Sequence, residues 1–294
     1  MSAVSDISYT LYKDPETTLE VAFVQNTIAN LGGTHMEIIH KATGASGLTV
    51  ELPPLTARWV SLGNSEQAKK FESEPMKQKY QLQVSTKTPE VMDFNPETLK
   101  RLQTYQQEAI DVLDQINEMC IKAMWKHPKT LKKQKATIRK TLEKQGVPPS
   151  EIENKAYIAF LHGGQTGLCS EEGVHDIKTK CAAYRRSKTT DGEFEVRVPR
   201  LLYKGEQVDF DATPINRGAV ICAQIRVKPY VTPNGAYGTT YIYVNGNLIK
   251  NGPEYSSTAK FTDWESIMGV DEVDEVDELD EIMQPPTKRK KVEH

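Results

Sequence analysis

Apolar residues recur along this chain with two periods, and the change between them divides it. From Leu19 to Val60 the period is close to two. Alternating segments at Leu19–Val24, Met36–His40 and Leu48–Leu52 are punctuated by Gly32-Gly33 and Gly44-Ala45-Ser46-Gly47, which predicts strands joined by turns. Lys79–Ser85 alternates again, with Tyr80, Leu82 and Val84 sharing a face. At Asn95-Pro96-Glu97 the period lengthens. Asn95 is a good N-cap with proline at the first helical position. Leu99, Leu102, Ala109, Val112, Leu113, Ile116, Met119, Cys120, Ala123 and Met124 then follow at helical spacing as far as about Trp125. His127-Pro128 stops that helix. A second helix is predicted from about Pro128 to Gln145, ended by Gly146-Val147-Pro148-Pro149. Strand texture resumes at Ala156–Leu161, and again from Phe194 through Phe210.

The stretch Pro214–Ile249 reads as two strands around a Pro233-Asn234-Gly235 turn, the strongest hairpin signal in the chain. Side chains alternate between the faces of a strand. In the first strand Ile221, Ala223, Ile225 and Val227 fall on one side, and Gln224, Arg226, Lys228 and Tyr230 on the other. In the second, Gly238, Thr240, Ile242 and Val244 share one face, and Tyr237, Thr239, Tyr241 and Tyr243 share the opposite one. The expectation is that each strand has a core-like face backed by a basic or aromatic one. Interleaved cations and flat rings suit single-stranded nucleic acid, because cations meet phosphates and rings stack on exposed bases. Tyrosine is also an ordinary strand former, so a Tyr-rich sheet without a ligand is the alternative.

Five or more strands with a helical insertion at about 95–147 predict a mainly β, α+β domain over residues 1–260. An OB-like antiparallel β-barrel, the five-stranded oligonucleotide-binding kind, is the expected architecture. Residues 261–294 form a tail of different character.

Charge sharpens that division. The chain carries 37 Lys and Arg against 40 Asp and Glu, a net charge of −3. From Asp263 to His294 there are 11 acidic and 4 basic residues, which leaves the preceding residues mildly basic. Asp271, Glu272, Asp274, Glu275, Asp277, Glu278, Asp280 and Glu281 are too densely charged to pack as a core, which predicts a disordered acidic tail. Val273, Val276, Leu279 and Ile282 thread it with apolar residues that a partner can use. After Pro285-Pro286-Thr287, the run Lys288, Arg289, Lys290, Lys291 looks like a nuclear localisation signal; a basic end that balances the acids is the alternative. It implies an import receptor as partner and a nuclear location.

Within the body, the predicted second helix is densely basic, with Lys132, Lys133, Lys135, Arg139 and Lys140 at its centre. It is either an auxiliary phosphate contact or a solvated helix face. Tyr184, Arg185, Arg186 and Lys188 make a second basic-aromatic cluster, and Arg58 and Trp59 a third, unless Trp59 is buried.

Other chemistry is not expected. Cys120, Cys169, Cys181 and Cys222 form no CxxC pair or disulfide framework, which suits a reducing compartment. The gaps between His162, Cys169, His175 and Cys181 match no zinc motif, so no metal is anticipated. The sequence GGQTG lacks the ending of a phosphate-binding loop, and no GxSxG, HExxH or Walker-type motif is present. The reading is therefore of a protein that is not an enzyme, needs no cofactor, and has neither a membrane span nor a secretory signal.

The order of features resembles single-stranded-DNA-binding replication proteins of podovirus-type phages and large DNA viruses. The residues that carry the resemblance are Pro214, Ile215, Gly218, Lys228, Pro229, Tyr230, Gly235 and Gly238, together with the acids from Asp271 to Glu281. The basic cluster after the acidic run departs from the phage pattern and points to a eukaryotic, host nucleus. The resemblance implies sequence-independent binding of single-stranded DNA in replication and recombination, with homo-oligomers possible. Arg185, Arg186, Arg217, Arg226 and Lys228 would meet phosphates; Tyr230, Tyr237, Tyr241 and Tyr243, with Tyr184 and Trp59, would stack on bases. The acidic tail would compete with DNA and recruit a DNA polymerase or helicase. The rival reading is a nuclear acidic-tailed chaperone that binds basic proteins, its hairpin purely structural.

Overall fold

The computed structural model describes residues 14–25, 34–62, 79–186, 194–210, 212–232 and 234–253. The acidic run Asp271–Glu281 and the basic cluster Lys288–Lys291 lie outside the described residues. After one helical turn, α1 (Pro15–Thr18), come β1 (Leu19–Gln25), β2 (Thr34–His40), β3 (Leu48–Glu51), β4 (Leu55–Ser61) and β5 (Lys79–Ser85). Three helices follow: α2 (Pro96–Lys126), α3 (Lys132–Lys144) and α4 (Pro149–His162). The chain then returns to strands with β6 (Leu168–Glu171), β7 (Val174–Ala182), β8 (Tyr184–Arg186), β9 (Phe194–Val196), β10 (Arg200–Tyr203), β11 (Glu206–Gln207), β12 (Val220–Val231) and β13 (Tyr237–Lys250).

Five of these strands close a barrel. β13 pairs antiparallel with β12, β12 with β4, β4 with β5, and β5 with β7. The ring is completed where β7 meets β13 in parallel, at Tyr241↔Thr179 and Ile242↔Lys180. Closure leaves no free edge within the ring. Alternation fills its interior: Tyr80, Leu82 and Val84 of β5, Ile177, Thr179 and Cys181 of β7, and Ile221, Ala223, Ile225 and Val227 of β12 are all buried. The architecture is mainly β with a few helices, an OB-like α+β fold.

Helix α2 begins as its sequence dictates, with the Asn95 carboxamide oxygen accepting the Thr98 amide at 2.8 Å. Its apolar stripe, including Leu113, Ile116 and Cys120, is buried in the same core as the barrel interior. Thr239 of β13 donates to Asn117 across that contact at 2.8 Å.

The segment Ala156–Leu161, expected as a strand, lies in α4. Six consecutive nonpolar or aromatic residues fit either period, so the preceding residues decide. Pro149 starts the helix, the helix-favouring run Glu151–Lys155 extends it, and Ala156 and Phe160, four apart, are its buried residues. The ring of Phe160 stacks on Tyr237 with centroids 4.3 Å apart, fastening α4 to β13.

Lys135 of α3 is buried, and its ammonium donates to the carbonyls of Met124, Trp125 and His127 at 2.8–2.9 Å. It thereby caps the C-terminal end of α2, where unsatisfied carbonyls and the helix dipole favour a cation. Burial, and to a lesser degree neighbouring Arg139, holds its pKa below the ordinary lysine value.

Candidate nucleic-acid interface

A groove of about 930 Å³ runs over the outer surface of β4, β5 and β7, between the α4–β6 loop and the tip of the β12–β13 hairpin. The side chains that reach it follow from strand parity. Because Leu82 and Thr179 point inward, Gln81 and Gln83 of β5 and Lys178 and Lys180 of β7 point outward. On β4 the alternation is broken. Ala57 opposes Val84 and Trp59 opposes Gln83, so Arg58 is an extra residue, a β-bulge. Two consecutive side chains, Arg58 and Trp59, therefore face outward, and Trp59 is 54% exposed.

Four cations, Arg58, Lys178, Lys180 and Arg217, line the groove, and no carboxylate does so among the described residues. Arg58 is held from beneath by Asp176, whose Oδ2 accepts from its guanidinium and from the Gln83 amide, each at 2.9 Å. Burial, followed by the proximity of Lys79, lowers the pKa of Lys180, so this site already resists one more positive charge and gains from an incoming anion. Tyr230 lines the groove at the hairpin end. Its hydroxyl donates to Gln165 Oε1 at 3.0 Å, and burial raises its pKa, so the ring is a neutral phenol.

The fixed wall opposite β4 depends on a glycine. The backbone of Gln165 lies against Gly238, receiving the Thr239 amide at 2.9 Å and donating to the Tyr237 carbonyl at 2.8 Å. Gly238 has φ +143°, and a Cβ there would sit 1.7 Å from the Gln165 carbonyl oxygen. No other residue permits that approach.

Of the residues singled out in the sequence, Arg58, Trp59, Arg217 and Tyr230 are brought together in this groove. Arg226 and Lys228 are exposed on β12 but outside the groove lining; Arg226 lies over Gly47, beside β3. Tyr184 is half-buried against the core. The backbones of Arg185 and Arg186 pair with β9, and their side chains lie outside the described residues.

The expected exposure of Tyr237, Tyr241 and Tyr243 is corrected: all three rings are in the barrel core. Cross-strand partners share a face, and Val227 opposes Tyr241 while Ile225 opposes Tyr243. The apolar face of β12 therefore takes the tyrosines of β13 inward with it. Each hydroxyl finds an internal acceptor or partner: Tyr237 donates to the Phe160 carbonyl at 2.7 Å, Tyr243 to the Arg200 carbonyl at 2.8 Å, and Tyr241 shares a hydrogen bond of 2.8 Å with Thr166. Burial pushes the phenols of Tyr237 and Tyr241 up to about 12 and raises that of Tyr243 as well.

The basic helix is likewise divided. Lys135 is the buried cap, and Arg139 makes a two-pronged ion pair with Glu153 at 2.8 Å while lying over the Trp125 ring. The Lys135 ammonium is thereby committed to the fold, and Arg139 already has a counter-ion. Lys132, Lys133 and Lys140 are exposed.

Lys178 and Lys180 were not among the residues expected at a site. Their signal was the alternation of Ile177, Thr179 and Cys181 with two lysines, weakened because a threonine and a cysteine stand where two aliphatic residues would have marked a strand.

No family model matches this sequence, and no curated protein matches it. Among solved structures, it is similar to gp2.5, a single-stranded DNA binding protein encoded by bacteriophage T7, at 12% identity and a TM-score of 0.43, over 73% of this chain and 98% of that one.

Proposed function

We propose that the barrel binds single-stranded nucleic acid, DNA in the first instance, without sequence preference and without catalysis. The observation that carries this reading is the groove itself, in which an exposed tryptophan and four cations converge with no carboxylate in the lining among the described residues. Trp59 and Tyr230 stack on unpaired bases, and Lys178, Lys180, Arg217 and Arg58 neutralise the backbone. The amides of Gln81, Gln83 and Gln165 offer both donors and acceptors, which suits contact with any base edge rather than selection of one. The acidic run Asp271–Glu281 competes for the same cations and recruits a replication enzyme of basic surface, and Lys288–Lys291 directs the protein to the nucleus.

The test is a fluorescence titration of the full chain with an oligo-dT strand and with a duplex of equal length at the same salt. The single strand is expected to quench tryptophan emission and to bind more tightly, with the quench lost in Trp59→Phe. Equal or tighter duplex binding rejects the reading. Removing residues 271–294 is expected to raise single-strand affinity at low salt; unchanged affinity rejects the tail's part alone.

A further inference from the structure

The hairpin tip that ends the groove also touches the basic helix. Thr232, Asn234 and Ala236 line the groove, and a Cβ at Gly235 between them would lie 2.5 Å from Oε1 of Gln134 on α3. Gln134 adjoins Lys133 in sequence. From Lys133 the positions i+4, i+7 and i+11 are Thr137, Lys140 and Lys144, which form one stripe on a helix, and all four are exposed. The cations that hold the fold, Lys135 and Arg139, lie on the opposite side, against α2 and α4. Lys133, Lys140 and Lys144 make no ion pair among the described residues, and the single acid of the helix, Glu143, makes none either.

A helix dividing its cations in this way has a structural side and a side whose cations are unpaired among the described residues. From these placements we infer that the stripe Lys133–Lys140–Lys144 is a second phosphate-binding segment, continuous with the groove across the hairpin tip, so that a single strand longer than the groove runs onto α3. The inference rests on the groove binding single strands. It adds length to that site: short strands fill the groove alone, and longer ones add contacts along the 13-residue helix.

The triple variant Lys133→Ala, Lys140→Ala, Lys144→Ala tests it in the full chain, with circular dichroism to confirm an unchanged helix. Affinity is measured against salt for a short oligo-dT, of about 6 nucleotides, and for one of about 20, the first near the low end of the typical occupancy of one such barrel and the second beyond its high end. The expected result is unchanged binding of the short strand and a shallower dependence of log K on log salt for the long one, by about 2, since each single-strand phosphate contact contributes about 0.7. Equal loss for both lengths, or no loss for either, overturns the extension while leaving the groove in place. Failure of the parent protein to bind the short strand removes the groove reading and the extension with it.

Discussion

The inner and outer faces of the barrel wall are both rich in aromatic residues, yet they differ in what surrounds each ring. Inside, Tyr237, Tyr241 and Tyr243 each give their hydroxyl to an internal partner and are 0–2% exposed. Outside, Trp59 stands 54% exposed beside Arg58, and Tyr230 faces a groove lined by cations. A fully buried tyrosine with a satisfied hydroxyl is a core residue with a polar anchor. A ring without such enclosure, beside the cations of an open groove, is the one with binding capacity to spare.

The largest expected effect that separates the two faces is on stability. Tyr241→Ala should cost about 3–5 kcal/mol in urea denaturation, because it empties core volume and removes the hydrogen bond shared with Thr166. Trp59→Ala should change stability by no more than about 0.5 kcal/mol. In an oligo-dT titration the second substitution should cost about 1–3 kcal/mol of affinity with an unchanged salt slope, since it removes stacking rather than charge. A stable Tyr241→Ala protein with weakened binding would reverse the assignment of the faces.

The smallest effect concerns Lys180, whose pKa is lowered by burial and by Lys79. A lowered pKa means that the ammonium loses its proton at a lower pH than an ordinary lysine does. Groove affinity should therefore fall as pH rises through the alkaline range below the usual lysine value, with the salt slope declining by about one phosphate contact, or 0.7. Lys180→Arg, which does not titrate there, should abolish that decline while matching the parent at neutral pH.

Much of the barrel was legible in the sequence because alternation and capping act locally. Tyr80, Leu82 and Val84 announced β5, and Asn95-Pro96 announced α2, without any knowledge of neighbours. What was not legible depended on pairing. The faces of β12 were assigned correctly in isolation, whereas those of β13 were inverted, because a tyrosine reads as either surface or core until its cross-strand partner is known. The loop between the strands runs from Thr232 to Ala236, an odd number of residues, so Val231 meets Tyr237 and like parities share a face. Counting across that loop would have turned the tyrosines inward. The groove was harder still, since Trp59, Lys178 and the pair Arg217 and Tyr230 come from three distant segments that only barrel closure unites.

The bulge at Arg58 bears on how such a surface is acquired. An additional residue in a regular strand exchanges its two faces from that point onward, putting a tryptophan into the core and a valine into water. Here Trp59 stays opposite Gln83 and Val60 opposite Leu82 despite the added residue. A single inserted codon at this position is thus absorbed without repacking the interior, and it delivers a cation next to an aromatic ring in one step.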